Sequence, residues 1–208
     1  MKCVMLLLVA LLALGCKEEK HPKIEIYLLK QRQPFVNTIP FKETSKYKEI
    51  EYNRAKNIFE DTRFDTLIKE VIFAGQFIAD SIDLQSQPFI TDVEIKAFEK
   101  HNNSVVLDSK AARRIYELSP EKNFGQQFVI TVDKEPKVSG YFWNTNSAIS
   151  CRWYYIECLN PTNDYRNNTN DKSFPVFIGN YNRKITLTGL YRHKELIAAF
   201  EETHRLVK

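Results

Sequence analysis

The chain has 208 residues, of which 43% are hydrophobic, 27% charged and 12% aromatic. That length and apolar content build one domain with a substantial core, and exclude a disordered, collagen-like or low-complexity chain. Thirty basic residues against 26 acidic ones give a formal charge of +4. The basic residues form no clustered stripe, so nucleic acid is not an expected partner.

The N-terminus carries the strongest signal. Lys2 supplies a positive start, and Val4 to Gly15 is an uninterrupted apolar run that ends in a small residue before Cys16. A bilayer core needs ~20 apolar residues in a helix, so the run is too short for a stable span and fits the apolar stretch of a secretory leader. Leu12-Ala13-Leu14-Gly15-Cys16 resembles the lipobox of bacterial lipoproteins, with Ala13 where leucine is usual. The resemblance implies that residues 1–15 are a signal peptide cut just before Cys16, and that this cysteine carries acyl chains on its sulfur and its new amino group. The alternative is an ordinary leader followed by an incidental cysteine. Each buried methylene contributes ~0.8 kcal/mol, so two or more chains hold a protein stably to a leaflet. Residues 16–23 then form a lipidated, palmitate-bearing terminus and tether. No Asp follows Cys16, which in enterobacterial lipoproteins would signal inner-membrane retention. Lys17-Glu18-Glu19 resembles the export tag of Bacteroidota surface lipoproteins. Together these resemblances imply an outer-membrane anchor and an outward-facing domain; the plain alternative for the charged run is a solvated tether.

Ile24–Lys30 alternates as a strand, and Pro34 and Pro40 bracket a loop. Residues 45–60 predict an exposed helix with Tyr47, Ile50, Arg54 and Ile58 on one side. Phe64, Leu67, Ile68 and Val71 recur at helical spacing, with Asp61 or Thr62 as cap. Val71–Ile78 fits a helix or, given Gly75 and its β-branched residues, a strand. Thr91-Asp-Val-Glu94 is a capping box, and two strands flank His101–Ser104. Asp108 or Ser109 caps a helix carrying Ala111, Ala112, Ile115 and Leu118. Phe128–Val132 and Lys137–Trp143 form a hairpin about a turn at Asp133–Pro136. A strand follows at 151–158, then a polar loop at 160–173 and strands at 174–178 and 184–188. A closing helix turns Leu196, Ile197, Phe200 and Val207 inward. The expected fold is a single α+β domain over residues 24–208, a mostly antiparallel sheet with a few helices packed on it.

Across about 88–150, Pro88-Phe-Ile90, Asp92–Ile95, Val106-Leu107, Ala111–Ile115, Gly125-x-x-Phe128–Asp133 and Gly140–Trp143 resemble the first periplasmic head subdomain of SecD and SecDF, and small Bacteroidota lipoproteins built on that module. In SecD the module is an α/β cap that helps exported chains leave the translocon. The resemblance covers about a third of this chain. It implies the fold and not the translocation role, because the sequence has no long membrane segments to couple such a head to a proton gradient.

Cys3 leaves with the leader and Cys16 is acylated, so Cys151 and Cys158 remain in the folded part. Seven residues apart on a strand, they would lie over ~20 Å from each other, beyond bridging distance. Two free thiols are expected unless the segment turns between them. His193 and His204 would sit ~16 Å apart along one helix, too far to share an ion. Neither Cys-x-x-Cys, His-Glu-x-x-His nor Gly-x-Ser-x-Gly occurs, no Gly-rich phosphate loop is present, and Asn163–Asp171 lacks the pattern of a calcium loop. No metal, cofactor or catalytic residue is therefore expected, and the protein reads as a non-enzyme. Alternation places Trp153 and Tyr155 on one strand face and Tyr154 and Ile156 on the other, with Tyr141 and Trp143 opposed to Phe142. Trp143, Trp153 and Tyr155 are the candidate binding face, although core packing also accounts for such rings. The function expected is a lipid-anchored envelope protein with a protein-interaction domain. A carbohydrate-binding accessory role and an immunity role against a toxin are the alternatives.

Overall fold

The computed structural model describes residues 21–50, 59, 62–158, 172–178 and 189–208. The leader, Cys16 and its tether as far as Lys20 lie outside the described residues, as do the expected strand at 184–188 and the loop up to residue 171. In chain order the elements are β1 (Ile24–Leu28), β2 (Thr38–Pro40), α1 (Ser45–Lys48), β3 (Arg63–Asp65), β4 (Glu70–Ile72), β5 (Ile95–Glu99), β6 (Ser104–Leu107), α2 (Ser109–Glu117), β7 (Gln126–Val132), β8 (Glu135–Asn144), β9 (Tyr154–Cys158), β10 (Lys172–Ile178), α3 (Lys194–Glu202) and β11 (Leu206–Val207).

Eight strands form one sheet in the order β1-β7-β8-β9-β10-β6-β5-β11, and β2-β3-β4 form a small second sheet. The β8/β9 and β5/β11 pairs are parallel and all other pairs antiparallel, which makes the fold α+β and sheet-dominated. Strands β5–β6 and β7–β8 are separated in the sheet by β9 and β10.

The β7–β8 hairpin is the scaffold. Its turn is two residues long, Asp133 and Lys134, with φ of 51° and 68°, and this left-handed pair suits the right-handed strand twist. Asp133 also holds the start of β1, accepting the Lys23 amide at 3.1 Å and donating its own amide to the Lys23 carbonyl at 2.8 Å. Gly140 has no side chain because Phe128 lies across it; a Cβ there would stand 2.6 Å from that ring.

Both faces of this hairpin are buried, and they serve two cores. One contains Ile24, Ile26, Phe128, Ile130, Phe142, Tyr154, Ile156 and Cys158, covered by α2 and α3. Helix α2 begins where Asp108 accepts the Ala111 amide at 2.8 Å, and it turns Ala111, Ala112 and Ile115 inward. The second core contains Tyr27, Val129, Tyr141, Trp143 and Cys151 and is covered by an arm, described at residues 29–50 and 62–84, whose regular elements are the short β2, β3, β4 and α1.

Several expectations change. Residues 64–71 are not a helix but the β3–β4 hairpin: the Asp65 carboxylate accepts the amides of Leu67 (2.7 Å) and Ile68 (3.1 Å), and Lys69 turns at φ 61°. Leu67 is 68% exposed, so its helical spacing does not mark a core. Within 45–60, α1 covers Ser45–Lys48 and Phe59 is helical, while residues 51–58 and 60 lie outside the described residues. Val71 and Ile72 belong to β4, and Gly75–Ile78 are in no helix or strand. Strand β9 starts at Tyr154 and not at Cys151, while Lys172 and Ser173 already belong to β10. His193 precedes α3 and His204 follows it, and Val207, in edge strand β11, is 44% exposed instead of inward. Cys151 and Cys158 are free and buried, one in each core.

Candidate functional site

Strand β9 pairs with β8 only along Tyr141–Asn144. Upstream, Pro136–Gly140 have no strand on that side among the described residues, and Trp153 fills part of the gap. Its indole N–H donates to the Ser139 carbonyl at 2.9 Å and also reaches the Ser139 hydroxyl at 3.2 Å. Opposite it, Lys137 is the extra residue of a β-bulge, since Ile130 pairs with Val138 but Thr131 with Pro136. A bulge re-aims a side chain. Here it sends the Lys137 ammonium to Glu135 (3.0 Å) and to Glu195 in the first turn of α3, and hydrogen bonds to Glu195 and then Glu135 raise the Lys137 pKa.

The unfilled edge is a cleft of about 210 Å³. Its floor is Val129 and Pro136–Ser139, and its walls are Gln76–Ala79, Trp153 and His193. The Ser139 hydroxyl donates to the Phe77 carbonyl at 2.8 Å, which fastens one wall, and Phe77 itself is buried. Its neighbour Ile78 is 69% exposed. On the other side His193 Nε2 lies 3.2 Å from the Tyr154 hydroxyl, and the two rings meet edge-on at 5.5 Å. Burial lowers the His193 pKa and so favours neutral imidazole at neutral pH. A second hollow of about 450 Å³ shares Pro136, Lys137 and His193 and extends to the exposed Arg192 and Lys194.

The aromatic wall and exposed isoleucine suit an apolar side chain, and Arg192 and Lys194 in the adjoining hollow, beside the Lys137-bound Glu195, suit a carboxylate next to it. The nucleophilic and titratable groups nearby are otherwise engaged. The Ser139 hydroxyl is bound to Phe77 and Trp153, and His193 has no carboxylate partner among the described residues. Cys151 and Cys158 lie in the cores, and burial pushes both thiols up to about 12. Among the described residues no three His, Cys, Asp or Glu side chains gather to hold a metal, and no helix is long and apolar enough to cross a membrane.

The structure divides the three rings named from the sequence. Trp143 is 4% exposed and packs edge-on against Tyr141 in the second core, so it presents no ring face to solvent. Trp153 is half-buried, touches both cores and lines the cleft. Tyr155 is half-buried and stacks on Phe177 at 5.2 Å. These residues therefore do not form one open platform. Alternation located their faces correctly, but it carries no information on which part of a face the arm covers. Ile78, Lys137 and His193 were missed, since they come from three distant segments. The one local signal was Pro136, which interrupts a strand pattern just before Lys137. No family model, curated protein or solved structure matches this chain.

Proposed function

We propose that this is a lipid-anchored protein of the outer membrane, held by acyl chains on Cys16, whose α+β domain binds a protein partner through the cleft between Ile78, Lys137, Trp153 and His193. The observation that carries the reading is Ile78, a 69% exposed isoleucine at the mouth of a cleft walled by tryptophan, with the exposed Arg192 and Lys194 in the adjoining hollow. An apolar side chain held out beside a half-buried tryptophan has the composition of a binding hot spot. The glycan reading draws less support, because Trp143 is inside and the Trp153 N–H is already bound. The test is a photo-crosslinking residue placed at Ile78 in the native envelope, with one at exposed Lys122 as control. A discrete adduct from position 78 alone is expected, and its identity distinguishes an immunity partner from others. Absence of any adduct from position 78 would refute the cleft as the contact. Mass spectrometry of the amino-terminal peptide tests acylation of Cys16, and protease shaving of intact cells tests outward display.

A further inference from the structure

The start of the folded domain lies at a junction of three segments. The Ile24 amide donates to Asp92 Oδ1 at 2.8 Å, and the Arg205 guanidinium reaches the same oxygen at 2.7 Å. Arg205 also donates to the carbonyls of Asp92 (2.9 Å) and Ile95 (3.0 Å), while Lys23 is bound to the Asp133 turn. The first strand, the turn at Asp92–Glu94 and the C-terminal segment are thus clamped together at one end of the sheet. Beside the clamp is a hollow of about 580 Å³ lined by His21, Lys23, Val93, Lys96, His204 and Arg205, together with Asp92 and Glu202. Asp92 is neutralised by Arg205. Lys23 and Lys96 are exposed, and between them Val93 stands 74% exposed at the tip of its turn. Lys96, like Lys137, is the extra residue of a bulge, here between Ile95 and Ala97.

We infer that this end of the domain rests on the anionic lipid headgroup layer, with Lys23 and Lys96 on lipid phosphates and Val93 dipping among them. The inference rests on the lipid-anchor reading. The seven residue steps from Cys16 to Lys23 span at most roughly 25 Å even when fully extended, so an anchored chain keeps this end within that distance of the bilayer, and a contracted tether brings it to the surface. Each lysine within a Debye length of an anionic surface contributes roughly five-fold in affinity. The far end of β7, where Lys122 is exposed, lies roughly 20 Å along the strand and serves as the control position.

The experiment uses the acylated full chain, reconstituted in phosphatidylcholine vesicles with and without phosphatidylglycerol. An environment-sensitive fluorophore is placed on Val93→Cys or Lys122→Cys, the native cysteines of the domain being buried. A blue shift at position 93 that is larger with phosphatidylglycerol, reversed by salt and absent at position 122 is expected. Lys23→Glu with Lys96→Glu should abolish the phosphatidylglycerol dependence without changing the amount of protein in the vesicles. If protein enters the vesicles but position 93 behaves like position 122, the docking is overturned and the anchor stands. If protein fails to enter them, the anchor reading falls and the docking with it.

Discussion

The two faces of the central hairpin are covered in different ways. On one, α2 and α3 satisfy their own backbone groups and meet Phe128, Ile130 and Phe142 with apolar side chains, polar ties such as Lys137–Glu195 and Arg114–Glu94 lying outside that contact. On the other, the described arm residues, 29–50 and 62–84, pair their backbone largely among themselves, as in β2-β3-β4 and the Val36–Gln76 bond, and are tied to the sheet by side-chain hydrogen bonds. Arg32 donates to the carbonyls of Phe73, Phe124 and Gly125 at 2.9–3.2 Å and lies over the rings of Phe35, Phe124 and Tyr141. The Tyr141 hydroxyl donates to the Gly75 carbonyl at 2.8 Å. Gln127, buried to 2% exposure, exchanges two hydrogen bonds with the Gln33 backbone at 2.7 and 3.0 Å. A regular cover is held by surface area, whereas an irregular one needs polar staples, and each staple is a separate point of failure.

The largest effect should come from the helix-covered face. Phe142→Ala empties a fully buried ring site and is expected to cost about 3–5 kcal/mol, lowering the whole unfolding transition in denaturant. Cys158 and Cys151 report on the two cores, so both thiols should become reactive together in that variant. Arg32→Ala should cost about 2–3 kcal/mol by freeing three carbonyls. Its effect should be local, with faster amide exchange over 73–79 and early labelling of Cys151 while Cys158 stays protected. Simultaneous labelling would show that the arm and the sheet open as one unit. Tyr141→Phe removes the bond to Gly75 and the longer one accepted from Gln127 and should cost about 1–2 kcal/mol, with exchange rising around Gly75 and Gln76.

Glu94 gives the smallest expected effect and the one that depends on pH. Burial would raise its pKa, but hydrogen bonds from the Arg114 guanidinium and from the Thr91 amide and hydroxyl outweigh this and hold it at about 2, against an ordinary 4.5. A carboxyl depressed in the folded state stabilises fully above the unfolded value and loses that contribution as pH falls from 4.5 toward 2. Glu94→Gln should cost about 1 kcal/mol at neutral pH and flatten that acid slope. An unchanged slope in thermal melts would remove Glu94 from the account.

This contrast between the faces also decides what was legible in the sequence. The β7–β8 hairpin, the Asp108 cap and the Thr91–Glu94 turn were readable because each depends on neighbours within a few residues. Phe64, Leu67, Ile68 and Val71 misled, since a single Asp65 carboxylate binding two amides converts helical spacing into a hairpin. The arm was unreadable as a cover, because its staples join residues such as Arg32 and Phe124 across 92 positions. The cleft has the same character. Trp153 was visible as a candidate, but its neighbours Ile78 and His193 come from the arm and from the residue preceding α3, and only the tertiary fold brings them together.

The placement of Cys151 and Cys158 on opposite sides of one sheet has a consequence for biogenesis. Neither is in a disulfide, and burial holds each as the thiol, the Cys151 sulfur lying 3.8 Å from the Trp153 carbonyl. In an oxidising compartment a bridge between them forms only at the expense of the sheet, so the native fold excludes it. A reductant should therefore leave the stability of the domain untouched.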